Sequence, residues 1–299
     1  MRHLSIDIET KSSVDIGKAG LYRYAQSDDF EILLFAYRYG NEEVQIIDLA
    51  QGEKIPETIV DDLKNSHIVK HAYNAAFEWY CLNRAGYMTP LGQWKCTMVH
   101  GLYCGYTAGL DATGKAIGLP QDKRKLATGK ALIRYFCVPC KPTKSNGNRS
   151  WNLPKHAPEK WELFKEYCRQ DVVTESAILA RLDAFPVPDE EEKLWQMDIR
   201  MNAFGVKVDS ELIRGALQVN EQSTILLETE AKEITGLDNP NSSAQLLDWI
   251  HKHGVEMDNL QKATVAEKLS DTLPDDVKRA LEIRQQLGKT SIKKYVAMD

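Results

Sequence analysis

The first acidic side chains that could act together are those of Asp7 and Glu9. They lie in the run LSIDIE (residues 4–9), where apolar and polar residues alternate with the period of a β-strand. Both carboxylates therefore lie on one face of the strand, where they repel each other unless a cation is bound between them. A divalent metal ion would serve, and bound metals commonly support phosphoester chemistry. The alternative is an ordinary acidic pair on a solvated strand face.

Glu78 is the second candidate. It follows the run HAYNAAF (residues 71–77), in which Asn74 is placed to cap a helix that runs to Arg84. Glu78 then falls in or just after the first helical turn. A carboxylate at that position also offsets the helix dipole, so a purely structural role is open.

Asp171 is the third candidate, on a long helix predicted from Pro158 to Leu182. The apolar positions of that helix place Asp171 on the inward face. A buried carboxylate costs several kcal/mol unless it is paired or metal-bound. Tyr167 lies one turn earlier on the same side, so its phenol projects beside the carboxylate. A core Asp that caps a neighbouring element remains the alternative.

The elements that must position these residues alternate between strands and helices. A hairpin of strands at 30–39 and 43–49 follows the first strand, and a short strand at 67–70 precedes the helix that carries Glu78. Short helices are predicted over 97–135 and an irregular loop over 138–158. We therefore expect an α/β domain built on a mixed sheet with helices on its faces.

A second, mostly α-helical domain is expected after the proline-rich run FPVPD (residues 185–189). The predicted domains are 1–187 and 188–299. Helices are predicted at about 190–203, 210–234, 243–252 and 274–297, the last as one unbroken helix. No run of about 18 uncharged apolar residues occurs, so we expect no transmembrane helix and no membrane partner.

The charge of the chain is uneven. The 299 residues carry a net charge of −5, which argues against a nucleic-acid partner. Residues 111–160, however, hold eleven Lys and Arg against three Asp and Glu. A basic segment of this kind suits a groove that follows phosphates, although a solvated basic loop is equally compatible.

Three ordered motifs make a resemblance specific: Asp7-x-Glu9, Asn74-x-x-Phe77-Glu78 and Tyr167-x-x-x-Asp171. They resemble the 3′–5′ proofreading exonuclease domain with four acidic residues and a tyrosine. Residues 94–97 (WKCT) and 132–139 (LIRYFCVP) extend the likeness to bacteriophage-type family A DNA polymerases, the relatives of DNA polymerase I. The likeness covers nearly the whole chain.

The resemblance implies a ribonuclease H-like fold with a five-stranded mixed sheet and two divalent ions. Oxygen ligands with no His or Cys nearby favour Mg²⁺ or Mn²⁺. Asp7 would bridge both ions, and Tyr167 would orient the attacking water. The implied metal ligands are Asp7, Glu9, Glu78 and Asp171, and the implied substrate-binding residues are Thr10, Tyr73 and Asn74. Glu78 departs from the family, which most often has Asp there, so rate and metal preference are open.

The helical part resembles the start of a polymerase region. Residues 204–209 (FGVKVD), 241–246 (NSSAQL) and 287–295 (LGKTSIKKY) look like its entry, a thumb helix and the segment before the palm. No second acidic constellation is present, so we expect no DNA synthesis by this chain. We expect it to be either a fragment of a longer polymerase or the product of a truncated gene.

The resemblance also implies the partners. We expect a cytoplasmic monomer, in a bacterium or a phage-infected cell, that removes 5′-mononucleotides from single-stranded DNA 3′ ends. Its thumb-like helices would bind the primer-template. Two other functions stay open: a non-catalytic exonuclease-like module that binds DNA or is structural, and a free-standing RNA-trimming exonuclease.

Overall fold

The computed structural model describes residues 2–126 and 128–298. The chain forms two compact units, the first ending at Gly205 and the second beginning at Val206. The helix Asp189–Phe204, which the sequence prediction assigned to the second domain, lies in the first unit.

The first unit is built on a five-stranded sheet in the order β3-β2-β1-β4-β5. β2 pairs antiparallel with both β1 and β3, whereas β4 pairs parallel with β1 and β5. This mixed topology is ribonuclease H-like, as expected. The strands are β1 (Arg2–Lys11), β2 (Glu31–Tyr39), β3 (Gln45–Asp48), β4 (Ile68–Ala72) and β5 (Trp94–Cys96).

Eight helices of the described part flank this sheet. They are α1 (Ile16–Ala25), α2 (Glu57–Lys64), α3 (Ala75–Arg84), α4 (Thr97–Tyr103), α5 (Leu110–Ala116), α6 (Gly129–Phe136), α7 (Pro158–Leu182) and α8 (Asp189–Phe204). The bounds of α7 are those predicted, because Pro158 suits the first helical turn and the apolar spacing continues to Leu182. The helix α1 was not predicted.

β1 is the central strand, and helices cover both of its faces. Leu4, Ile6 and Ile8 pack in one core with residues of α1, α2 and α3. A second core joins β2 to α6 and α7. Because the central strand is buried on both sides, its polar face is enclosed rather than solvated. The acidic pair on that face therefore needs partners.

The second unit, from Val206, is helical throughout its described elements. Its helices are α9 (Ser210–Thr235), α10 (Ser243–Lys252), α11 (Lys262–Lys268), α12 (Asp275–Leu287) and α13 (Lys293–Met298). The prediction of one helix over 274–297 was wrong, because α12 ends before Gly288, a poor helix former. No helix in the described part of the chain has the length and apolarity to cross a bilayer.

Candidate active site

Asp7 and Glu9 project from the polar face of β1. Asp7 stands opposite Ala36 and Glu9 opposite Leu34 on β2, and a bulge follows between Glu9 and Thr10. Glu9 is 8% exposed and Asp7 is partly buried. A bulge at the end of paired strands re-aims side chains and is common beside active sites. The strand thus delivers two neighbouring carboxylates into an enclosed space.

A cysteine of α7 completes this group. The Cys168 thiol donates a hydrogen bond to Asp7 Oδ2 at 3.4 Å. Within the described residues, a carboxylate oxygen of Asp7, one of Glu9 and the Cys168 sulfur lie within 4.8 Å of one another. The expectation that no Cys lies near the site was therefore wrong. Cys168 fitted the apolar face of α7 in the sequence, and that pattern does not show what the face contacts.

Asp171 lies one turn further along α7 and is 4% exposed. Its Oδ2 forms an ion pair with Lys125, whereas its Oδ1 is buried without a hydrogen-bond partner among the described residues. The Lys125 ammonium nitrogen also lies 4.6 Å from the centroid of the Tyr167 ring. Sequence reasoning missed Lys125, since a loop residue far away in sequence carries no pairing signal.

Glu78 comes from α3, in the first turn as predicted, and is 5% exposed. Its Oε2 atom is buried and, like Asp171 Oδ1, lacks a hydrogen-bond partner in the described part of the chain. An unpartnered buried oxygen is costly and calls for an explanation such as an ion. The offset of the helix dipole alone does not account for this burial.

The electrostatics show that these carboxylates form one group. Burial, and then the charge of Asp171, raise the pKa of Asp7 from 3.8 to about 8. Burial and then the Asp7 charge raise the pKa of both Glu9 and Glu78 well above the ordinary value. Burial also raises the pKa of Asp171, although Lys125 opposes the effect. Carboxyl groups from β1, α3 and α7 therefore lie close enough to affect one another's pKa, and a positive charge between them would relieve their repulsion.

The donor set fits divalent metal ions. Four acidic side chains offer hard oxygen atoms, and two of these atoms lack any other partner. Burial raises the pKa of the Cys168 thiol, which keeps it protonated and a donor to Asp7 rather than a metal ligand. Oxygen ligands without a thiolate or imidazole suit Mg²⁺ or Mn²⁺.

Tyr167 is 3% exposed and its ring stacks on Phe164 at a centroid distance of 6.2 Å. Burial and the Asp171 carboxylate raise the pKa of its phenol, so the hydroxyl keeps its proton. Gly129, at the start of α6, lies so close to this ring that any Cβ there would overlap it. The tyrosine is thus held firmly beside Asp171.

The predicted substrate-binding residues differ in whether their side chains already have hydrogen-bond partners within the protein. The Thr10 hydroxyl bonds the Tyr24 hydroxyl at 2.7 Å, and the Tyr73 hydroxyl bonds that of Thr113 at 2.8 Å, so both side chains are engaged in the core. Asn74 is exposed at the start of α3, and its side chain forms no capping hydrogen bond, contrary to the expected cap. Its amide is available to a ligand.

Four buried or partly buried acidic side chains lie together on a ribonuclease H-like sheet, and this arrangement makes the region a candidate nuclease site. The DNA polymerase of Bacillus phage SP02 is 48% identical to this chain over 300 residues, which cover all of the chain and 46% of that relative. The expected resemblance to a phage DNA polymerase is thus confirmed. The chain spans less than half the length of this relative.

No protein-family model matches the chain. A solved structure described as the apo form of the nuclease is 17% identical, covering 66% of this chain and 79% of that one with a TM-score of 0.42. This likeness is too weak to support a conclusion.

Proposed function

We propose that the first unit is a metal-dependent 3′–5′ exonuclease that trims single-stranded DNA 3′ ends and serves a DNA polymerase. The observation that carries the proposal is the pair of unpartnered buried oxygens, on Glu78 and Asp171, beside the Asp7–Glu9 pair. Such a cluster is unfavourable without a cation and favourable with one. The similarity to a phage DNA polymerase supports the link to DNA.

Asp7, Glu9, Glu78 and Asp171 would hold two Mg²⁺ or Mn²⁺ ions. When bound, such ions supply charge stabilisation to the attacking and leaving oxygens of a phosphodiester. In the reaction, water attacks the terminal phosphorus and the bond to the 3′-oxygen breaks. The products are a 5′-mononucleotide and a shortened strand with a free 3′-hydroxyl.

The protein's own side chains would orient the attacking water and the terminal nucleotide. The Tyr167 phenol keeps its proton, so it can position the attacking water by hydrogen bonding but does not attack. The exposed Asn74 amide lies at the start of the helix that carries Glu78, where it could contact the terminal nucleotide. Thr10 and Tyr73 would then shape the site from the core rather than touch the DNA.

The second unit would bind primer-template DNA as a thumb-like element. Its support is the sequence resemblance together with the basic residues Lys289, Lys293 and Lys294 near the end of the described chain. The monomeric state and the cytoplasmic location stay predictions.

The decisive experiment measures shortening of a 5′-labelled single-stranded DNA by the purified chain with Mg²⁺. We expect a ladder of products shortened from the 3′ end and, for Asp7→Asn, a rate lower by about 10³-fold or more, because a carboxylate ligand of the proposed metal site is lost. Asp15→Asn, on the surface, is the matched control.

Trimming that survives both Asp7→Asn and EDTA would contradict the mechanism. A folded wild-type chain that binds DNA but never trims it would support the non-catalytic alternative. A clear preference for an RNA strand of the same sequence would instead support the RNA-trimming alternative.

A further inference from the structure

Lys125 occupies an unusual position for a lysine. Its side chain is only 27% exposed, and it forms an ion pair with Asp171, whose side chain is 6% exposed. Its ammonium group also lies over the Tyr167 ring, 4.6 Å from the centroid. Its charge opposes the rise in pKa of Asp7, Glu9 and Asp171 alike. Lys125 therefore supplies positive charge to three of the four acidic side chains of the cluster.

The same lysine lines a groove of about 450 Å³ that reaches Tyr167. Four of the nine residues that line the groove are basic, Lys115, Arg124, Lys125 and Lys130, and one, Asp111, is acidic. Lys115 is already paired with Asp111 at 2.6 Å, whereas Lys130 is exposed and forms no ion pair within residues 2–126 and 128–298. Several cations along one groove suit a chain of phosphates.

The position of Lys125 conflicts with a metal ion bound at Asp171. An ammonium group and a divalent ion that share one carboxylate would stand a few ångströms apart and repel each other strongly in a buried site. Asp171 offers its free Oδ1 atom to an ion, but the neighbouring positive charge weakens that binding. The lysine stem is flexible, so the ammonium group can leave at the cost of this ion pair.

We infer that Lys125 is a resident counter-ion of Asp171 that divalent metal must displace, and that the displaced ammonium group binds a backbone phosphate of the DNA strand in the basic groove. The inference rests on the proposed exonuclease function. It gives Lys125 two opposite effects: it weakens metal binding in the absence of DNA, and it strengthens DNA binding once metal is present. A purely structural ion pair would produce neither effect.

The test is a calorimetric Mn²⁺ titration of the full chain without DNA, at one fixed pH. We expect Lys125→Met to bind Mn²⁺ roughly five- to tenfold more tightly than wild type, since the competing charge is gone. Lys125→Arg keeps the charge and should bind Mn²⁺ within about twofold of wild type. Lys130→Met, the matched control in the same groove, should leave Mn²⁺ affinity unchanged.

The DNA half is measured separately, as KM for trimming a single-stranded oligonucleotide at saturating Mn²⁺. Lys125→Met should raise KM by about threefold to tenfold and change kcat less. Lys125→Met also leaves the Asp171 carboxylate without its ion-pair partner. The midpoint of thermal unfolding, measured with EDTA and with Mn²⁺, therefore provides a second readout. The variant should gain more stability from Mn²⁺ than wild type does.

Unchanged or weaker Mn²⁺ affinity in folded Lys125→Met would overturn the inference, even if wild type trims DNA normally. If wild type binds Mn²⁺ but trims nothing, the proposed function fails while the competition at Asp171 is still decided by the titration. An unchanged KM together with tighter Mn²⁺ binding would overturn the phosphate contact.

Discussion

Two buried carboxylates lie four residues apart on α7, and they differ in how their oxygens are satisfied. Glu175 is 2% exposed and accepts hydrogen bonds from the Thr97 hydroxyl at 2.5 Å and the Ser176 hydroxyl at 3.2 Å. Asp171 is equally buried, yet it has one unpartnered oxygen and a lysine on the other. Glu175 was not singled out in the sequence, although it follows Asp171 by one turn.

The difference separates a carboxylate whose hydrogen bonds are satisfied from one that we propose to bind metal. Burial raises the pKa of both groups, so neither burial nor the shift identifies the site. What distinguishes Asp171 is a buried oxygen without a hydrogen-bond partner in the described part of the chain. Glu78 has one as well, and both residues lie next to the Asp7–Glu9 pair. Each oxygen of Glu175 accepts a hydrogen bond from a hydroxyl group, so neither is left without a partner.

The largest expected difference between an unsatisfied and a satisfied carboxylate is in the rate of DNA trimming. Glu78→Gln keeps the shape of the side chain but removes its charge, so we expect trimming to slow by about 100-fold. Glu175→Gln, the matched change at the satisfied carboxylate, should stay within about twofold of wild type. The measurement is the initial rate of shortening of a 5′-labelled single-stranded DNA with saturating Mg²⁺.

Glu78→Asp restores the charge on a shorter stem and should retain most of the rate. Equal rates for wild type and Glu78→Gln would remove Glu78 from the site. A large loss in Glu175→Gln, in a protein that remains folded, would place Glu175 among the functional carboxylates and erase the distinction.

The site was predictable wherever a local pattern fixed both the element and its inward face. Alternation placed Asp7 and Glu9 together on β1, and the apolar spacing of α7 turned Asp171 and Tyr167 inward. These periodicities involve residues close together in the chain, so they can be read from the sequence alone. The bounds of α7 and the mixed sheet followed from the same patterns and from Pro and Gly signals.

The interactions that the sequence did not predict are contacts between segments far apart in the chain. The pairing of Lys125 with Asp171 joins residues far apart in sequence, and the hydroxyls of Thr10 and Tyr73 are engaged by partners that no motif reveals. The break at Gly288 was missed because one glycine within a helical pattern does not always end a helix.

The stability of the metal-free protein should depend on pH through the Asp7 carboxyl group. The pKa of Asp7 is about 8 in the folded chain, whereas its ordinary value is 3.8, so the folded state retains a proton that the unfolded state releases. Stability from this group is therefore full below pH 4 and falls as the pH rises to about 8. We expect a loss on the order of a few kcal/mol in EDTA.

Denaturant unfolding at pH 5 and pH 8, with EDTA or with Mg²⁺, checks this. Asp7→Asn should flatten the dependence, and Mg²⁺ should restore wild-type stability at pH 8 by binding the ionised carboxylates. Metal-free stability that rises from pH 5 to pH 8 in wild type but not in Asp7→Asn would contradict the assignment of Asp7 as a buried, protonated member of the cluster.

The smallest expected effect lies at the satisfied carboxylate and concerns stability alone. Glu175→Leu leaves the Thr97 hydroxyl, which is 1% exposed, without its acceptor. We expect it to lower the free energy of unfolding by about 1–3 kcal/mol. Adding Thr97→Val removes the stranded hydroxyl, so the double variant should be more stable than the sum of the two single changes predicts. Strictly additive losses would show that Glu175 is not held by Thr97, and its contrast with Asp171 would then need another cause.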